Sequence, residues 1–264
     1  MKLGCHAVLF KDKIATDTKG VLIGIRNTGF SGAEIGARFF GTEKKEYLRQ
    51  VLNETDMLMS AMHATCILTD LLDKKQEVFD GILKVVDFVK DMKEHNIMLT
   101  GVHKWPMDNP EMDSRLTDPE SVKLIAQGLN ELAILAMEQG VVIHYHNHSW
   151  EFDNDALIFK SIGCYAPDLN FGLDTGWAFF SGYDPVELME QYPGRFHYVH
   201  LRDYNKTSKE FVNLGNGDMD YQRLTNKLKE ILSQEDWAIV EYETGDEDIN
   251  RYQSAFEYIK RYLM

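Results

Sequence analysis

Short apolar runs along the chain alternate with longer segments in which apolar side chains recur every three or four positions. Runs of the first kind fall near Lys2–Val8, Ala33–Ala37, Leu58–Ala64, Ile97–Val102, Val141–His146, Leu169–Leu173, His197–Leu201 and Ala238–Glu241, and each reads as a buried strand. Between them, sets such as Ile82, Val85, Val86, Val89 and Met92, or Val122, Ile125, Leu129, Leu132 and Leu135, keep the helical period. Strand and helix therefore alternate, and eight strands are what a closed (β/α)8 TIM barrel needs. The pattern predicts an α/β chain whose 264 residues form one such barrel as a single domain.

Punctuation supports these boundaries. Asp118-Pro119 and Asp184-Pro185 each offer a capping side chain followed by a proline in the first turn, and Gly140 and Pro193-Gly194 stop the helices that follow. No Pro/Gly/Ser linker divides the chain. The longest loop expected, 103–117, follows a strand and would lie over the face where barrels carry their chemistry.

Polar residues at the ends of these runs change the picture from fold to function. Glu151, Asp174, His200 and Glu241 follow four successive strands at spacings of roughly 25 to 40 residues, the length of a strand–helix unit, so a closed barrel would converge them on one ion. A carboxylate buried alone at a strand end is costly, and a divalent cation relieves it. Two glutamates, an aspartate and a histidine suit one Mn²⁺, Co²⁺, Zn²⁺ or Mg²⁺ with positions open to substrate oxygens. Such a cation polarises a carbonyl, and a neighbouring base can then remove and return the adjacent proton through an enediolate. This is isomerase or epimerase chemistry; with a leaving group on the next carbon, the same parts give elimination.

Around these positions, His144 and His146 share one side of their strand, His144 expected in the core and His146 at the site as a catalytic group. Glu151 and Glu241 are candidates for proton transfer as well as ligation. Asp174 either caps the following helix or points into the barrel, with ligation favoured. Arg202 shares a face with His200, and Asp203 either fixes the tautomer of His200 or caps its loop. His63, His103, Lys104, His148, Trp177 and Arg202 are the expected substrate contacts. Asp218 and Asp220 argue against a phosphate seated in the loop 213–218.

Composition narrows the partner. A formal charge of −14 without a basic run opposes nucleic acid and anionic membranes and favours a small carbohydrate. Three cysteines in no paired motif fit a reduced, cytoplasmic setting, and no run approaches the roughly 20 apolar residues of a membrane span. A homo-oligomer is compatible with the sequence, which does not demand one.

At Lys2-Leu3-Gly4, YHNHSWEF (145–152), LDTGWAFFSGYDPVELMEQYPGRFHYVHLRD (173–203) and IVEYE (239–243), the chain resembles the sugar phosphate isomerase/epimerase family. These are xylose-isomerase-like barrels that include inosose isomerases and dehydratases, ketose 3-epimerases and enzymes of 3-keto-glycosides. The resemblance implies that Asp174, His200 and Glu241 are metal ligands. Many members carry Glu-Asn-His at the fifth strand, where this chain has His146-Asn147-His148. Either His146 takes that ligand's place, or Glu151 folds back to the ion and frees His146 to act as base. With Glu151 away from the substrate, a two-carboxylate epimerase scheme weakens, and an imidazole base next to Glu241 favours one-sided chemistry: isomerisation, dehydration, or removal of an aglycone from a 3-keto-sugar. An alternative of another class is a metal-dependent phosphodiesterase like the endonucleases that cleave abasic DNA on this barrel, against which the acidic charge speaks.

Overall fold

A computed structural model describes residues 1–104, 111–245 and 247–263. The apolar runs pair side by side in parallel as β1 (Lys2–His6), β2 (Gly32–Gly36), β3 (Leu58–Ile67), β4 (Asn96–Val102), β5 (Val142–His146), β6 (Asn170–Asp174), β7 (Phe196–Leu201) and, after a hairpin, β10 (Trp237–Val240). The first and last pair, Lys2 to Trp237, closes the barrel in the order β1-β10-β7-β6-β5-β4-β3-β2. The expected (β/α)8 architecture is therefore present.

Three details differ from expectation. β1 stops at His6 and turns into a short helical segment, Ala7–Phe10, instead of running to Val8. β3 continues past Ala64 to Ile67, so His63 lies within a strand. The chain after β7 folds back as an antiparallel hairpin, β8 (Asp203–Asn205) and β9 (Glu210–Val212), two strands that the periodicity did not announce because each is too short to alternate visibly.

The caps behave as predicted. The Asp118 carboxylate accepts from Ser121 N at the start of helix Pro119–Met137, and that of Asp184 accepts from Val186 N at the start of Pro185–Gln191. Gly140 and Gly194 take left-handed φ values of 76° and 75° beyond the ends of these helices. The barrel's lower interior is filled by Ala61, Met98, Tyr198, Trp237 and Ile239. Gly32 admits the Trp237 ring there: a Cβ on Gly32 would lie 2.4 Å from the indole. With this plug below, polar groups at the upper strand ends sit in a closed-bottomed cup. No helix among the described residues is long and apolar enough to cross a membrane.

Candidate metal centre

Strand register gathers the polar residues at one level. His6 lies opposite Glu34, Thr100 opposite His146, and Asp174 opposite His200. Side chains of His146, Asp174, His200 and Glu241, from β5, β6, β7 and the end of β10, bring one ligating atom each to within 4.8 Å of one another, and all four are buried.

The electrostatics and hydrogen bonding show what this cluster lacks. Burial, reinforced by the neighbouring charge of His200, holds His146 well below the usual imidazole value, so it is a neutral ring with a lone pair to offer. Neither of its ring nitrogens has a partner. Asp174 caps the next helix, its Oδ1 accepting from Trp177 N at 2.7 Å, while its buried Oδ2 has no hydrogen bond. Burial lifts its carboxyl to about 7 against the pull of Arg202, 3.6 Å away. Each unsatisfied buried polar atom costs roughly 1–3 kcal/mol, so their gathering at one point calls for a bound group. A carboxylate oxygen and a neutral imidazole nitrogen beside Glu241 and His200 are a donor set that fits a divalent cation.

Glu151 lies apart from this group. It is fully buried, but Oε1 accepts from the Tyr145 hydroxyl at 3.0 Å and Oε2 from His148 N at 2.8 Å, and burial lifts its carboxyl to about 8. It sits in the short helical turn Trp150–Phe152, where both of its carboxylate oxygens are engaged. His146 occupies the fifth-strand place in the cluster.

Two residues that the sequence reading passed over complete the centre. Glu34 is the one charged residue within the β2 run, a signal that run-based reading discounts. It is fully buried, with Oε2 2.8 Å from His200 Nε2 and Oε1 2.6 Å from His63 Nδ1. His6 stacks on His63 with ring centroids 4.9 Å apart and places Nδ1 3.0 Å from Glu241 Oε1. His6, Glu34 and His200 form a second close group that shares His200 with the first. Burial opposes charge on Glu34 and Glu241, yet the surrounding His200 and His6 hold both well below the usual carboxylate range. His200 bonds Glu241 through Nδ1 and Glu34 through Nε2, which fixes its ring, and these carboxylates outweigh burial to hold its imidazole well above the ordinary value.

The remaining expected contacts divide. His63 and His148 line, with His6, His146 and Glu241, a cavity of about 700 Å³. Arg202 is buried: it lies 4.1 Å from the Phe211 ring centroid and 5.0 Å from that of Trp177, and pairs with Glu243 at 3.0 Å. Gly176 makes this possible, because a Cβ there would lie 2.5 Å from Cβ of Arg202. Trp177 thus supports Arg202, and neither borders the cavity among its described lining. Lys104 is exposed and pairs with Glu111. His103 packs edge-on against Trp150. The central part of the 103–117 loop, residues 105–110, lies outside the described residues. His144 is a core residue, bonded to Asn96 at 3.2 Å, as expected. Asp203 does not touch His200; it accepts from the backbone N–H of Tyr204, Gly215, Gly217 and Met219, tying the hairpin loop to the barrel.

Comparison with known proteins agrees with the barrel fold. The chain is 26% identical to an inosose dehydratase of Clostridium tetani over 87% of its length and 83% of that protein. To an inosose dehydratase of Geobacillus kaustophilus it is 28% identical over 91% and 86%. A sugar phosphate isomerase/epimerase structure from Parabacteroides distasonis superposes with a TM-score of 0.79 at 15% identity, covering 98% of both chains, a likeness of fold. Residues 24–262 match the model of the xylose isomerase-like TIM barrels, and the chain belongs to that family.

Proposed function

We propose that this protein is a divalent-metal-dependent enzyme that removes the proton beside the carbonyl of a cyclic keto-polyol, a keto-sugar or an inosose, with loss of water as the favoured outcome. The observation that carries the reading is the cluster of His146, Asp174, His200 and Glu241, with its unpartnered His146 nitrogens and Asp174 Oδ2. A cation bound here would displace the proton that His200 shares with Glu241, so that all four residues could hold it, and would supply Lewis-acid polarisation of the substrate carbonyl.

Proton transfer falls to a group that faces the cavity without belonging to the cluster. His63 fits best, because Glu34 stands behind its Nδ1 while its Nε2 meets the Thr100 hydroxyl, 2.7 Å away, and both His63 and Thr100 line the cavity. A carboxylate behind an imidazole fixes the tautomer and stabilises the protonated ring. In the elimination, the C–H electron pair forms the new carbon–carbon double bond, and the proton taken by His63 departs with the hydroxyl of the next carbon as water. One base on one side suffices. The names of the sequence relatives, inosose dehydratases, support dehydration over epimerisation. Among the described cavity residues, Arg38 is the single guanidinium or ammonium, against Asp70, Glu77, Glu241 and Glu243, a poor surface for a phosphodiester backbone.

The test is metal content per chain by elemental analysis of untagged protein, followed by incubation with scyllo-inosose and 3-keto-glucose in deuterated water. About one ion per chain, and an enone absorbance that rises with solvent exchange, are expected. His63→Gln should keep the metal and lower turnover about 10²- to 10⁴-fold. Exchange without water loss would assign isomerisation instead, and two ions with cleavage of an abasic duplex would replace the reading with a phosphodiesterase.

A further inference from the structure

The two halves of the metal cluster are held in place by different means. His200 and Glu241 bond each other, and Glu34 and His6 bond them in turn, so side chains fix both. The His146 ring has no hydrogen bond, and the Asp174 carboxylate has a single one, from Trp177 N. The placement of this second pair therefore comes from the backbone, and there the strand pairing runs out. Register joins β5 to β6 as far as His146 opposite Gly172, whereas β6 continues through Leu173 to Asp174, which pairs on its other side with His200 of β7.

Asn147 fills the gap. Its side chain is fully buried, with Oδ1 accepting from Asp174 N at 3.0 Å and Nδ2 donating to Asp174 O at 3.2 Å. A carboxamide carries the same donor and acceptor as a peptide unit, so one side chain makes both bonds that a further strand residue would make. A carboxylate in this place has no donor for Asp174 O, and an apolar side chain leaves both buried backbone groups unsatisfied.

We infer that Asn147 is the positioning residue for the unpartnered half of the metal centre. It follows His146 directly in the chain and holds Asp174 by both backbone groups, so it sets the separation of the two ligands before a cation arrives. This rests on the reading above, in which the cluster binds a divalent cation. Both polar atoms of Asn147 are engaged with the Asp174 backbone, so it acts through the ligands and is not one of them.

Co²⁺ supplies the test, because the visible bands of the bound ion report its ligands while competition with a chelator reads its affinity. Asn147→Leu, similar in volume and without hydrogen bonds, and Asn147→Ala, which cannot crowd the site, are set against Thr225→Val. Thr225 is fully buried, and its Oγ1 bonds Tyr221 O at 2.6 Å within the helix Tyr221–Ile231, so its replacement removes a buried hydrogen bond outside the cluster. Both Asn147 variants are expected to bind Co²⁺ about 10- to 100-fold more weakly than wild type and to alter its visible bands. Thr225→Val should lower the melting temperature and leave the bands unchanged, with affinity within about twofold. Asn147 variants that lose melting temperature alone would overturn the inference, with the metal reading left standing. Hydrogen exchange on the metal-free wild type needs no variant to fold: the Asp174 N–H should already be protected. Rapid exchange there that slows only on addition of Co²⁺ would mean that the cation orders the pair, and would overturn the inference as well. If the wild type binds none of Co²⁺, Mn²⁺ and Zn²⁺, the metal reading falls and the inference falls with it.

Discussion

The two sides of the barrel's upper end bury similar charges and treat them in opposite ways. On the side of β1, β2 and β3, Glu34 meets His200, His63 and His6, and both of its oxygens are engaged. On the side of β5 and β6, His146 has two free nitrogens and Asp174 a free oxygen, although both residues are fully buried. A saturated polar group orients its neighbours, whereas one left unsatisfied inside a packed protein holds binding capacity in reserve. His200 belongs to both sides and links the engaged groups of one to the unpartnered groups of the other.

The division between the two sides fails most completely if the unpartnered side does not bind a cation. Asp174→Ala removes the free oxygen, and elemental analysis should show the bound metal lost, with turnover below detection; retention of one ion per chain would remove Asp174 from the ligand set. Next in size is Glu34→Gln on the saturated side. An amide cannot accept from both His200 and His63, so the His200 ring loses its fixed orientation. Metal affinity, read by competition with a fluorescent chelator, should fall about 10- to 100-fold. Unchanged affinity would reduce Glu34 to a packing role.

Legibility in the sequence follows the same division. Asp174, His200 and Glu241 end apolar runs, so their position beyond the hydrophobic pattern marks them, and the closed barrel brings them together as the spacing requires. Glu34 and His6 lie inside runs short enough that one polar residue looks like noise, and their meaning appears only when register sets them opposite each other. Glu151 differs: its distance along the chain from His146 suits a ligand, while in the turn Trp150–Phe152 its carboxylate meets Tyr145 and the backbone of its own loop. Sequence spacing counts residues and does not see the direction of a turn.

Glu151 gives a prediction of intermediate size. Its carboxyl titrates near 8 in the folded protein, above the ordinary carboxylate value of the unfolded chain, so the folded state holds the proton more tightly. The stability this contributes is fully present below the unfolded value of about 4.3 and is lost as pH rises through 8. Glu151→Gln, neutral throughout, should flatten that decline by an amount on the order of 2 kcal/mol in urea unfolding curves recorded between pH 6.5 and pH 9, and should leave the metal in place. A variant that loses its metal would return Glu151 to the ligand set and unseat His146.

The smallest effect expected separates architecture from site on the side of β7. Asp203 stands next to Arg202 and three residues from His200, yet its carboxylate is spent on four backbone N–H groups of the hairpin and its loop. Asp203→Ala leaves those donors without their acceptor, and the hairpin frays at a cost of about 1–3 kcal/mol in unfolding free energy. Because His200 is fixed from its other side, by Glu34 and Glu241, the variant should retain one metal ion per chain with an affinity within about twofold of wild type. If metal affinity instead falls as far as in Glu34→Gln, then the hairpin and not the saturated carboxylate sets the position of His200, and the division between an orienting side and a binding side of this barrel does not hold.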